Sequence, residues 1–207
     1  SLKILELCRK HNVKKIIYGN SAAETGDPQY LPVDEKHPFD PISPYGLSKN
    51  VFYRYLKMYQ RLYEIDYVSL RFSNVYGPRQ PREGQYAPVI GIFLRQLQDK
   101  EPFTIVPDGN QKRDFTWVGD VVRANILAME SKKVGGGEVI NIGGGKSYSM
   151  FEVANIIAEI CYPRTFIEPR KGEIQESLAD ISMAKKILGW KPKVSLEQGV
   201  KILKNEN

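Results

Sequence analysis

The 207-residue sequence contains very little cysteine and histidine. Its two cysteines, Cys8 and Cys161, lie in no C-x-x-C pair, and its two histidines, His11 and His37, are far apart in the chain. Disulfide frameworks and histidine-based zinc sites require more of these residues at closer spacing. The composition therefore argues against a disulfide-stabilised fold and against a metal site.

Long apolar runs and dense basic runs are also lacking. No apolar stretch approaches the ~20 residues that a membrane-spanning helix needs. Lysine and arginine exceed aspartate and glutamate by 30 to 24, a net charge of +6, but the basic residues are spread along the chain. This distribution suits an anionic ligand and argues against nucleic acid or a membrane as a partner. Because no signal-peptide pattern is present, we expect a cytoplasmic protein.

Hydrophobic periodicity predicts helices that alternate with short buried strands. The predicted helices lie near residues 1–12, 44–64, 87–99, 118–129, 149–160, 182–188 and 196–204. The predicted strands lie near residues 15–18, 67–71, 103–106, 139–142 and 165–167. This alternation predicts an α/β fold with a mainly parallel sheet.

One pair of side chains suggests proton-transfer chemistry. Tyr45 and Lys49 are four residues apart near the start of the long predicted helix, so both lie on one face. A lysine ammonium close to a phenol favours the phenolate, which a tyrosine acting as a general base requires. Ser21 follows the first predicted strand, at the sheet edge where ligands of open α/β folds bind. On its own, the Tyr/Lys spacing also fits a solvated pair on a helix surface.

Several longer segments accompany this pattern in a fixed order. They are NSAAETGDP, SPYGLSK, RFSNVYGPRQ, DGNQKRDFTWVGDVV, PRKGE and ADISMAKKILGWKP. With these segments the chain resembles the extended short-chain dehydrogenase/reductases, specifically NAD-dependent nucleotide-sugar epimerases of the UDP-glucose 4-epimerase type. The resemblance implies a partial Rossmann-type parallel sheet and a smaller C-terminal α/β substrate-binding lobe. Residues 1–74 would carry the Ser/Tyr/Lys site, and residues 75–207 the lobe, with a segment near 110–145 returning to the sheet.

The resemblance implies a role for each matching residue. Tyr45 would be the acid and base, Lys49 would hold the nicotinamide ribose and tune Tyr45, and Ser21 would relay the proton. Phe72 and Ser73 would complete the nicotinamide site for NAD. The residues implied for the UDP-sugar are Asn74, Arg113 and Arg170 at the phosphates, Glu173 at the uridine ribose, Ile105 and Val106 along the uracil, Val89 along the nucleotide, and Ser177 near the sugar. For each arginine, a surface salt bridge is the alternative interpretation.

Three positions narrow the expected reaction. Ala22 and Ala23 stand where related 4,6-dehydratases carry an Asp-Glu pair, and alanine cannot transfer a proton. Ser177 occupies a position that resembles a gate, where a small residue admits N-acetyl sugars. We therefore expect C4 epimerisation of UDP-glucose or UDP-galactose, and also of the N-acetylhexosamine forms, through a 4-keto intermediate. A UDP-glucuronate epimerase or decarboxylase and a non-catalytic sugar-nucleotide-binding fragment are the alternatives.

The sequence departs from the family pattern in three ways. Gly19-Asn20 replaces the usual Ser-Ser, and Glu24-Thr25-Gly26 replaces the usual Val-Tyr-Gly. The G-x-x-G-x-x-G loop that holds the NAD pyrophosphate is also missing near the start. The resemblance then implies that roughly 90–110 residues of a complete enzyme precede this chain and that the isolated chain is inactive. A complete enzyme is expected to form a homodimer through a helix bundle.

Overall fold

The structure is a computed structural model that describes residues 2–84, 87–168 and 174–205. Within these residues the strands are β1 (Lys15–Ser21), β2 (Asp66–Phe72), β3 (Asn74–Tyr76), β4 (Phe103–Ile105), β5 (Lys112–Trp117), β6 (Gly136–Ile142), β7 (Ser147–Ser149) and β8 (Arg164–Phe166). The α-helices are α1 (Leu2–Lys10), α2 (Pro44–Tyr63), α3 (Val89–Gln98), α4 (Val118–Glu130), α5 (Met150–Ile157) and α6 (Leu196–Asn205). A 3₁₀-helix (Ala22–Thr25) and a π-helix (Ala184–Leu188) complete the described elements.

The main sheet is parallel and has the strand order β1-β2-β6. Successive residues of β2 point to opposite faces, so Tyr67 packs with α1 and α2 while Val68 packs with α4. Because both faces are covered, most of β2 is buried. The carboxyl ends of β1 and β2, at Ser21 and Phe72, consequently meet at one edge of the sheet.

Helix α2 begins where the sequence predicts. Ser43 caps it, since its side-chain oxygen accepts a hydrogen bond from the Gly46 amide at 3.1 Å, and Pro44 occupies the first turn. The helix ends at Tyr63, and Glu64 follows in the left-handed conformation. This cap places Tyr45 and Lys49 in the first two turns, next to the carboxyl edge of the sheet.

Smaller strands and three helices form the rest of the described chain. Strand β5 pairs with β3 in parallel and with β7 antiparallel, and β4 pairs with β8. Helices α3, α5 and α6 cover these strands around an apolar cluster that contains Phe93 stacked on Phe103, with ring centroids 4.7 Å apart. No helix in the described ranges is long and apolar enough to cross a membrane.

The structure contains four elements that the sequence did not predict, namely β3, β5, β7 and the 3₁₀-helix, and it extends a fifth. Strand β5 was not predicted, because its residues KRDFTW mix charged and aromatic side chains without a clear alternation. Strand β6 begins at Gly136, three residues before the predicted start at residue 139. It pairs with β2 and so brings a late part of the chain into the main sheet. The division into two lobes at residue 74 stays a prediction.

Candidate active site

Ser21 is fixed from both sides at the end of β1. Its side-chain oxygen accepts a hydrogen bond from the Ala23 amide at 3.2 Å and so caps the 3₁₀-helix. Its own amide donates to the side-chain oxygen of Asn20 at 2.8 Å. The buried Asn20 amide group donates in turn to Ser69 on β2 at 3.1 Å. The departure at residue 20 therefore supplies a hydrogen-bonded support for Ser21.

Tyr45 and Lys49 approach the same edge because α2 packs closely against the 3₁₀-helix. Gly46 permits this contact, since a Cβ atom at this position would collide with the Ala23 carbonyl oxygen. The Lys49 ammonium donates to the Gly19 carbonyl oxygen at 2.9 Å and lies 5.7 Å from the centroid of the Tyr45 ring. Tyr45 is 52% exposed, so its side chain is open to a ligand.

A cavity of about 670 Å³ is lined by most of the residues to which the resemblance assigns a role. Its walls include Ser21, Tyr45, Lys49, Phe72, Ser73, Asn74, Arg113 and Ser177. Ala22 and Ala23 also line it, where a dehydratase would need carboxyl groups. The structure thus brings together eight residues from segments that are distant in the sequence.

A second cavity, of about 260 Å³, adjoins the first and is lined mainly by apolar side chains. Val89, Ile105 and Val106 line it, as the resemblance leads us to expect of a base-binding pocket. Asn74 and Arg113 line both cavities. A ligand that filled both would therefore pass an amide and a guanidinium group at the junction.

Arg113 is partly buried on β5, and its guanidinium donates to the main-chain oxygens of Lys112 at 2.9 Å and of Gln175 at 3.4 Å. These bonds hold its stem against the segment that carries Ser177. Two further expected residues, Arg170 and Glu173, lie outside the described residues.

Asp114 is a buried carboxylate that the sequence did not single out. It accepts hydrogen bonds from the amides of Gly144 at 2.6 Å and Ala179 at 3.1 Å, and from the Ser73 hydroxyl at 3.3 Å. Burial raises its pKa to about 6, although these hydrogen bonds act in the opposite direction. The carboxylate joins the end of β2 to the segment that contains Ser177. The motif RDFT was visible, but nothing in the sequence showed that the charge is buried.

Gln80 is a second residue that sequence reasoning missed. It lines the larger cavity, and both its amide oxygen and its amide nitrogen are buried without a hydrogen-bond partner among the described residues. Such atoms are rare in folded proteins and suit a polar ligand group. Within the same residues, no group of three or more His, Cys, Asp or Glu side chains could hold a metal ion.

The chain is similar to several known proteins. Residues 1–143 match the model of the NAD dependent epimerase/dehydratase family. The chain is 46% identical over 209 residues to a putative UDP-glucose 4-epimerase of Methanocaldococcus jannaschii, covering 99% of this chain and 67% of that protein. It is 35% identical to a UDP-glucose 4-epimerase of Mycolicibacterium smegmatis, covering 97% of this chain and 64% of that protein.

Two solved structures have the same fold. A UDP-glucose 4-epimerase of Thermotoga maritima with UDP-glucose superposes with a TM-score of 0.90 and 37% identity, covering 100% of this chain and 69% of that one. A UDP-glucuronic acid 4-epimerase of Bacillus cereus with UDP-glucuronic acid and NAD has a TM-score of 0.88 and 33% identity, covering 96% and 63%.

These similarities confirm the α/β fold class and the resemblance drawn from the motifs. The chain spans about two thirds of the length of these relatives, from 63% to 69%. The segment matched by the family model, residues 1–143, contains Ser21, Tyr45 and Lys49, which the structure places around one cavity. The chain belongs to the NAD-dependent epimerase/dehydratase family.

Proposed function

We propose that this chain forms the greater part of an NAD-dependent epimerase that acts at C4 of a UDP-hexose. The observation that carries the proposal is the convergence of Ser21, Tyr45 and Lys49 on a cavity that joins a second, mainly apolar cavity. A hexose next to the three polar groups and a base in the apolar cavity would place a diphosphate near Asn74 and Arg113. Guanidinium groups bind phosphate oxygens with paired hydrogen bonds, which supports this orientation.

The residues around the larger cavity suit the nicotinamide half of NAD. Hydroxyls from Ser21, Tyr45 and Ser73 and the ammonium of Lys49 provide donors and acceptors for ribose and carboxamide groups. Phe72 adds an aromatic wall. A Cβ atom at Gly19 would lie only 3.1 Å from Cε2 of that ring, so glycine leaves room for the ring. These residues would hold the group, and NAD when bound supplies the acceptor and donor for hydrogen at the sugar carbon.

The chain's own residues would move the proton and hold the substrate. Tyr45 would take the proton of the sugar 4-hydroxyl, Ser21 would bridge the two hydroxyls, and the Lys49 charge would stabilise the phenolate. Asn74 and Arg113 would hold the diphosphate while the 4-keto sugar turns over in the cavity. Binding energy spent on the diphosphate leaves the ring free to present either face.

The lining of the larger cavity also bears on the sugar. Ser177 is small and lies in the wall, which supports acceptance of an N-acetyl group as well as a hydroxyl. Ala22 and Ala23 offer no proton donor for dehydration. UDP-glucose and UDP-N-acetylglucosamine, with their C4 epimers, are therefore the proposed substrates, and we expect the enzyme to act in the cytoplasm.

The proposed enzyme is a homodimer through α1 and α2. Apolar side chains are exposed on α1, at Leu2, Ile4 and Leu7, and on α2, at Leu47, Val51, Met58 and Leu62. The aromatic residues Phe52, Tyr53 and Tyr59 pack instead in the apolar cluster beneath the main sheet.

The test uses the protein expressed from its complete reading frame. The purified protein is incubated separately with UDP-glucose, UDP-N-acetylglucosamine and UDP-glucuronate, and the products are identified by proton NMR. We expect C4 epimers of the first two sugars. Conversion of UDP-glucuronate alone, a decarboxylated product, or no product from any sugar would contradict the proposal, and the last outcome would favour a non-catalytic binding protein.

A further inference from the structure

A buried ion pair lies directly behind the candidate site. Glu24, in the 3₁₀-helix after Ser21, accepts a hydrogen bond from Arg71 Nε at 2.9 Å. The side chains of Arg71 and Glu24 are only 1% and 0% exposed. Arg71 directly precedes Phe72 on β2, so the pair connects the chain segments that follow β1 and that end β2.

Arg71 also holds the loop that leads into α2. Its Nη1 donates to the Asp34 carbonyl oxygen and to the Asn141 side-chain oxygen, both at 3.3 Å. Its guanidinium carbon lies 5.3 Å from the centroid of the Phe39 ring. Asp34 and Phe39 belong to residues 26–43, which end at the capping residue of α2. One guanidinium therefore contacts both the 3₁₀-helix that follows Ser21 and the loop that leads to Tyr45.

The pair is a poor source of stability. Among the described residues, neither Glu24 Oε2 nor Arg71 Nη2 has a hydrogen-bond partner. A buried ion pair that is incompletely satisfied seldom stabilises a fold more than apolar residues of the same size would. Its contribution must therefore be sought in the geometry that it fixes.

The 3₁₀-helix transmits that geometry to the first turn of α2. Ala23, next to Glu24, contacts Gly46 so closely that no side chain fits there. Gly46 is adjacent to Tyr45, so a shift of the 3₁₀-helix moves Ser21 and Tyr45 relative to each other.

We propose that Glu24 is a positioning residue. Through its ion pair with Arg71, it holds Ser21 and Tyr45 in the relative position that proton transfer requires. The inference rests on the proposed function, because it assigns Glu24 to the same reaction. Glu24 does not touch the substrate in this account, and it acts only through the 3₁₀-helix and residues 26–43.

The first experiment compares kinetics and stability in the protein from the complete reading frame. Glu24→Leu should lower kcat about 10- to 100-fold and change KM less than about twofold, because small misplacements of reacting groups are costly while the nucleotide contacts are untouched. Glu24→Gln keeps the shape and one acceptor oxygen, and should restore most of kcat. Glu101→Leu, which removes a surface partner of Arg95, is the matched control and should leave both parameters unchanged.

A double variant separates positioning from stability. Glu24→Leu with Arg71→Leu removes both charges, so its melting temperature should recover above that of Glu24→Leu alone while kcat stays low. Recovery of kcat together with the melting temperature would overturn the proposal, as would normal kcat in Glu24→Leu or a Glu24→Gln variant as slow as Glu24→Leu.

Hydrogen exchange tests the inference even if no UDP-sugar is converted. The amides of Val33 and His37, bonded to the carbonyl oxygens of Leu178 and Asp34, report opening of residues 26–43. Glu24→Leu should speed their exchange about tenfold or more, with Glu24→Gln close to the wild type. Unchanged exchange in Glu24→Leu would overturn the positioning role, whereas absence of turnover in the wild type would overturn only the proposed function.

Discussion

Replacing Asp114 by asparagine would show how strongly a buried charge joins the walls of the larger cavity. The carboxylate is fully buried and accepts hydrogen bonds from the amides of Gly144 and Ala179. Burial raises its pKa from 3.8 to about 6. Relative to the unfolded chain, the folded protein therefore disfavours the charged form of Asp114, although the group is still mostly ionised at neutral pH.

The pKa shift of Asp114 determines how much the folding stability changes with pH, and in which direction. The pKa values of the unfolded and folded states, 3.8 and about 6, are about two pH units apart. Because each unit corresponds to about 1.4 kcal/mol, ionisation of Asp114 opposes folding by about 3 kcal/mol. Between these two pKa values the folded protein binds more protons than the unfolded chain. The stability that Asp114 contributes is therefore complete below the lower pKa and is lost as the pH rises through the upper one.

Urea denaturation of the wild type and Asp114→Asn between about pH 4 and pH 8 measures this directly. Relative to the variant, the free energy of unfolding of the wild type should fall by about 3 kcal/mol over the lower part of that range and then stay constant. At every pH the free energy of unfolding of the variant should also be lower by about 1–3 kcal/mol. The reason is that the asparagine N–H would face one of the two backbone amides, where two donors meet and no hydrogen bond forms. A difference that is independent of pH, or that favours the wild type more as pH rises, would refute the reasoning.

Three further substitutions test other parts of the site. Ser177→Tyr should abolish turnover of UDP-N-acetylglucosamine and retain that of UDP-glucose, because the larger side chain would fill the space for the N-acetyl group. Equal loss of both activities in parallel assays would contradict the role of residue 177 in selecting the sugar. Gly46→Ala should lower kcat about 100-fold by moving α2 away from Ala23. A matched Gly136→Ala, where a Cβ would meet only the end of the Glu138 side chain, should leave kcat unchanged. Normal kcat in Gly46→Ala would show that the close contact is dispensable. Arg113→Gln should weaken UDP binding about 10- to 100-fold in a calorimetric titration, a loss of about 1.5–3 kcal/mol in binding free energy. Unchanged affinity would show that the diphosphate does not bind near Arg113.

Much of the site could be predicted from local sequence patterns. The Ser43-Pro44 start of α2 follows from capping chemistry, and the four-residue spacing of Tyr45 and Lys49 follows from helix geometry. Ser21 at the strand end follows from the edge rule for parallel sheets. These features depend on neighbours in the sequence, so the pattern was sufficient for them.

The buried charges could not be predicted in the same way. Glu24 and Arg71 are 47 residues apart in the sequence, and Asp114 contacts residues 30 and 65 positions later. Charged residues are usually solvated, and only the three-dimensional packing shows that these three are not. Strand β5 was missed for a related reason, because the buried Asp114 interrupts its apolar pattern.

The most direct test of the central claim is the rate of C4 epimerisation in Tyr45→Phe, made in the protein from the complete reading frame. Tyr63→Phe is the control, because Tyr63 lies on the same helix and is exposed at its other end. Loss of the hydroxyl at residue 45 should lower kcat about 100-fold or more, with unchanged binding of the UDP-sugar and a normal rate in the control. Wild-type turnover in Tyr45→Phe would contradict the assignment of the acid and base.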